Sequence, residues 1–110
     1  HSGHPVPMRC DSVAEIAAVM ASKWAMGLGG GVVVANPIPA AAEIPASEMN
    51  GYITKALESA ANNGISGKAV TPFLLSKILE LTEGRSLTAN IALVENNARL
   101  AARIALALQA

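Results

Sequence analysis

Cysteine, aromatic side chains and charge are all scarce in this sequence, and each scarcity excludes something. Cys10 is the lone cysteine among 110 residues, so no disulfide can form within the chain. That suits a reducing compartment, and a cytoplasmic location is expected. The aromatic residues are Trp24, Tyr52 and Phe73, and eight basic residues balance eight acidic ones. A nucleic-acid polymer as partner calls for a positive field and stacking platforms, and neither is offered. A small nucleotide stays compatible, because one phosphate needs only one local site. No apolar run reaches the length of a membrane span, so no membrane partner is expected, and no signal-peptide layout is present. An initiator Met is missing too. The opening His1-Ser2-Gly3-His4-Pro5-Val6-Pro7 reads as a loop, and further chain is expected to precede it.

Apolar residues, by contrast, are plentiful. They make up 52% of the chain, against 15% charged. This is too apolar for disorder. It is also more apolar than a small domain with a large exposed fraction requires. Part of that surface is expected to face other chain or other subunits.

The hydrophobic spacing predicts four helices. Ser12 and Glu15 have the spacing of a capping box at the start of the first. Val13, Ile16, Ala17, Met20 and Trp24 follow at helical intervals, and Gly27–Gly31 ends the run. Val32-Val33-Val34-Ala35 is short, β-branched and apolar on both faces, as a buried parallel strand would be. A single strand cannot satisfy its own backbone groups, so its neighbours are expected elsewhere. Pro39–Pro45 reads as a loop. A second helix is expected over Ala46–Asn62, with Met49, Ile53, Ala56, Leu57 and Ala60 on one face and Gly64 in the left-handed position after it. Thr71 and Pro72 read as the cap and first residue of a third helix, ended by Gly84. Ser86 reads as the cap of a fourth, reaching about Leu108 and apolar nearly all round, as if packed on several sides.

Several tempting motifs fail on spacing or order. The Gly27–Gly31 cluster follows a helix and precedes the expected strand, whereas phosphate-cradling loops need the reverse order, so it reads as a helix-to-strand turn. Gly67-Lys68 resembles the end of a phosphate-binding loop, but Asn62 stands where the earlier glycine is needed and Ala69 where Ser or Thr is needed. His1, His4 and Cys10 lack a fourth ligand for a closed zinc site, so no metal ligand is assigned. None of Lys23, Lys55, Lys68 and Lys77 has the setting of a nucleophile; Lys23 reads as a helix-end residue snorkelling beside Trp24. Glu95 and Arg99 have the spacing of a helix ion pair.

Three asparagines are more informative. Asn90 and Asn97 lie seven residues apart on one stripe of the fourth helix. A buried amide is costly unless its donors and acceptor are satisfied. Asn97 reads either as a structural amide or as a site residue, and Asn90 as a residue of a ligand site. Asn36 follows the expected strand at its carboxyl end, where ligands of open α/β sheets bind. It is a candidate substrate-binding residue, with a turn-forming role before Pro37 as the alternative.

Three blocks carry a family resemblance. They are Lys23–Leu28 continuing through Gly30–Pro39, Gly64–Leu75, and Ala89–Ala98. In this order they resemble the pseudouridine-5′-phosphate glycosidase, or indigoidine synthase A-like, family. The resemblance implies that residues 1–110 are the C-terminal segment of a single α/β/α domain, here about four helices and one buried strand. It implies an enzyme that reversibly converts pseudouridine 5′-phosphate and water into uracil and ribose 5-phosphate. A carbon–carbon glycosidic bond has no heteroatom leaving group to protonate, so an electron sink is needed. In the family a lysine imine supplies it, a glutamate serves as acid, and a carboxylate helps hold a divalent metal, manganese. None of these three residues matches a position in this chain, so the segment alone is expected to be inactive. The asparagine of the block Asn90–Val94 resembles a family active-site asparagine, and Asn90 is on that ground the expected catalytic-site residue. A homotrimer and a pseudouridine kinase as pathway partner are implied as well. The rival reading is a non-catalytic helical interaction module.

Overall fold

A computed structural model describes residues 3–110. It divides the chain into two compact units, one built on Ile38–Leu93 and the other on His4–Pro37 together with Val94–Ala110. Among the described residues there are four α-helices: α1 (Val13–Ala25), α2 (Ala46–Asn62), α3 (Val70–Leu81) and α4 (Arg85–Gln109). The last of these contributes residues to both units.

In the Ile38–Leu93 unit, α2 packs against α3. Ala56 and Ala60 are the buried residues of α2, small enough to let the neighbouring backbone approach. Ile44, just before the helix, is buried with them. The rest of the expected face is half-buried, except Leu57, which is exposed. Pro39–Pro45 is not wholly irregular, because Ala40–Ala42 forms a short 3-10 turn. Gly64 takes the left-handed conformation (φ 65°) that the sequence predicts. The Ile65 N–H reaches the Ala60 carbonyl at 2.9 Å and the Gly64 N–H the Ala61 carbonyl at 3.1 Å, so two terminal carbonyls of α2 are satisfied.

The starts of α3 and α4 differ from expectation. A 3-10 turn, Gly67–Ala69, feeds α3, whose first residue is Val70, so Thr71 is inside the helix and is not its cap. Pro72 then occupies the third helical position, still within the turn that has no acceptors for its N–H groups. Ser86 is likewise inside α4. Its N–H donates to Thr82 Oγ1 at 3.0 Å, while that hydroxyl donates back to the Ile78 carbonyl at 2.8 Å. One buried threonine thereby serves the end of α3 and the beginning of α4. Glu83 (φ 52°) and Gly84 (φ 85°) make the turn between them.

In the other unit, the capping box forms. Ser12 Oγ accepts from the Glu15 N–H at 3.2 Å and Glu15 Oε2 accepts from the Ser12 N–H at 3.2 Å. Gly27 (φ 73°) closes α1, with the Leu28 N–H on the Lys23 carbonyl at 3.3 Å. The Lys23 ammonium does not end in solvent alone, since Nζ donates to the Gly31 carbonyl at 2.8 Å.

The expected buried strand is absent. No strand occurs among the described residues; Val32–Ala35 is exposed, and Val33 is 95% exposed. The reason is physical: a strand exists by pairing its backbone with another, and no described segment pairs with this one. Gly27–Gly31 is therefore a helix end leading into irregular chain. Nor is α4 packed on several sides, because Ile104 is its one buried residue. Across the described residues the buried apolar side chains are Ala17, Ile44, Ala56, Ala60 and Ile104. Among the described residues, no helix is long and apolar enough to cross a membrane.

Candidate functional site

Asn36 is half-buried in the segment that leaves the valine run. Its Nδ2 donates to Asn97 Oδ1 on α4 at 3.0 Å. Asn96, the preceding residue of the helix, donates through Nδ2 to the Pro37 carbonyl at 3.2 Å. Two consecutive asparagines of α4 therefore hold two consecutive residues of the segment. The helix supplies this naturally, since neighbouring side chains on it diverge by about 100° and can straddle a chain laid beside them.

The amide pair borders a groove of 440 Å³. Met20, Val32, Val34, Leu100, Ile104 and Leu108 give it an aliphatic lining, and Asn36 and Asn97 are its polar side chains. A second cleft of 620 Å³ lies between Val6–Met8, Val13, Ile16 and Val32–Pro37. Asn36 borders both.

The structure places the three predicted asparagines differently. Asn36 and Asn97 are brought together. Asn90 is exposed on α4 and has no side-chain hydrogen bond among the described residues. Asn97, like Asn90, is exposed on α4. Sequence reasoning did not find the Asn96 bond, and nothing in the spacing of Asn96 and Asn97 marks which of them faces which group.

Elsewhere, charges are paired at the surface. Arg85 Nη1 meets Glu48 Oε1 at 2.5 Å, and Tyr52 donates its hydroxyl to the same oxygen at 3.1 Å. The Arg85 hydrogen bond is the main force holding the Glu48 carboxyl below its ordinary range, with Tyr52 adding to it and loss of hydration opposing. Glu48 in turn raises Arg85. Glu95 and Arg99 form the expected helix pair at 3.6 Å, and Lys77 pairs with Glu80 at 3.2 Å. Among the described residues, no three His, Cys, Asp or Glu side chains come together as a metal site would require. His1, one of the residues weighed as a ligand, lies outside the described residues.

Known proteins supply the context that this geometry lacks. The family model described as indigoidine synthase A like protein matches residues 1–107. A pseudouridine-5′-phosphate glycosidase of Nocardioides sp. is 64% identical over 104 residues, covering 94% of this chain and 34% of that protein. The protein of the same name from Methylobacterium nodulans is 58% identical over 108 residues, covering 98% and 32%. That of Mesorhizobium japonicum is 66% identical over 94 residues, covering 86% and 31%. The chain thus spans about a third of the length of the curated relatives it matches. On this match along nearly its whole length, the chain belongs to the indigoidine synthase A-like family.

Proposed function

We propose that this chain is the C-terminal part of a pseudouridine-5′-phosphate glycosidase, a soluble cytoplasmic homotrimer that interconverts pseudouridine 5′-phosphate and water with uracil and ribose 5-phosphate. The observation that carries the reading is the 64% identity, over 94% of the chain, to a protein of that name. In this reading Val32–Ala35 is a strand of an α/β/α sheet whose other strands lie in the rest of the protein. The exposure of all four residues supports it. The lysine nucleophile, the acid and the carboxylate toward manganese also lie in the rest of the protein. This chain's residues have no part in holding the metal. A pseudouridine kinase is the pathway partner.

Asn90 is the residue of this chain assigned to the reaction. Its carboxamide is solvent-facing and unspent, so it has donors and an acceptor to give to a lysine amine or a sugar hydroxyl. Losing one preorganised hydrogen bond of this kind raises a barrier by roughly 2–4 kcal/mol. That is on the order of a hundredfold in rate. The test uses the full-length protein and follows uracil release from pseudouridine 5′-phosphate with manganese present. Asn90→Ala should cut turnover on the order of a hundredfold while the protein stays folded and trimeric. Asn90→Asp, which keeps the shape and loses a donor, should be similarly impaired. No uracil release by the wild type overturns the enzyme reading. Near-normal turnover with a lowered melting temperature in Asn90→Ala overturns the assignment of Asn90.

A further inference from the structure

The Asn36–Asn97 pair carries a reading that deepens the proposed function and rests on it. A carboxamide has two donor hydrogens and one acceptor oxygen. Asn36 uses Nδ2 on Asn97 Oδ1, which fixes the rotation of its amide plane and leaves its own Oδ1 with no protein donor among the described residues. The next residue, Pro37, has a fixed φ and no N–H, and its carbonyl is held by Asn96. Segment and side chain are therefore both set by α4. Asn36 and Asn97 are the polar side chains at an otherwise aliphatic groove, the composition of a small-molecule site: apolar walls with a few placed polar atoms. A structural tie between helix and loop would be served as well by Asn96 alone.

We infer that Asn36 Oδ1 is an acceptor presented to the nucleotide, and that Asn97 is a positioning residue acting through Asn36. The group recognised is a hydroxyl or N–H donor of the substrate. Asn97 neither touches the substrate nor takes part in bond breaking.

The experiment compares full-length wild type with Asn97→Ala, Asn97→Asp, Asn36→Ala and the Asn36→Ala/Asn97→Ala double variant. Steady-state uracil release from pseudouridine 5′-phosphate is measured for each. Asn97→Ala should raise KM about tenfold, the worth of one hydrogen bond, with kcat changed less than about threefold. Asn97→Asp keeps an acceptor oxygen for Asn36 Nδ2 and should stay within about twofold of wild type in KM. The double variant should be no worse than Asn36→Ala, because the two residues act as a unit. Wild-type KM in Asn97→Ala with only a lowered melting temperature overturns the inference, as does an Asn97→Asp as impaired as Asn97→Ala. A wild type that releases no uracil removes the enzyme reading and this inference with it. An active wild type with unaffected variants removes this inference alone.

Discussion

Thr82 does at the junction of α3 and α4 what a capping serine does at the start of a free helix. It is 2% exposed, so water cannot replace either of its hydrogen bonds. Thr82→Val keeps the shape but strands the Ser86 N–H beside a buried methyl, while the Ile78 carbonyl keeps its bond from the Thr82 N–H at 2.9 Å. The expected loss is about 1–2 kcal/mol of stability, with Thr82→Ser recovering most of it, and a urea melt of each variant measures it. The contrast with Ser12 shows what is legible at this scale. The Ser12–Glu15 box is complete within four residues, so its spacing alone predicts it. At the α4 start two hydroxyl residues, Thr82 and Ser86, stand a helical turn apart, and only the φ values of Glu83 and Gly84 decide which of them is the cap. The asparagines divide in the same way. Their clustering on α4 is visible in the sequence, but the Asn36–Asn97 bond joins positions 61 residues apart, beyond any local pattern.

Between elements, Glu48 and Arg85 link the first turn of α2 to the first residue of α4. Glu48 also lies where a helix dipole favours negative charge. Because its carboxyl is held below the ordinary value, chiefly by Arg85, its contribution is complete above the unfolded value of 4.5. It is lost as pH falls through the lower folded value. The melting-temperature difference between wild type and Glu48→Gln should therefore be constant near neutrality and vanish as pH drops below the carboxylate range. It should also shrink with salt, since both side chains are partly exposed. A difference that persists in acid would show that Glu48 acts by packing. The helix ends at this scale were legible where glycine makes them, at Gly27 and Gly64. The start of α3 was not, because the 3-10 turn Gly67–Ala69 leads directly into Val70 and moves the helix start ahead of the Thr71-Pro72 signal.

At the scale of the molecule, the strongest sequence signal for a strand falls on residues that form none. Val32–Ala35 is apolar as expected but exposed, for pairing partners are a property of the whole protein and the segment has none among the described residues. Exposed apolar chain with unpaired backbone drives association. The isolated 110-residue chain should therefore self-associate, and Val33→Lys should shift it toward monomer in analytical ultracentrifugation. A monomeric wild-type chain with a sharp cooperative melt would contradict this. The unit that carries the valines is also discontinuous: residues 4–37 are completed by residues 94–110, with the whole Ile38–Leu93 unit in between. On the ribosome this sets an order. The Ile38–Leu93 unit has all its residues as soon as Leu93 emerges, and its helices need only local contacts. The loop gripped by Asn96 and Asn97 must wait for the second half of α4, so the groove forms after the Ile38–Leu93 unit has emerged.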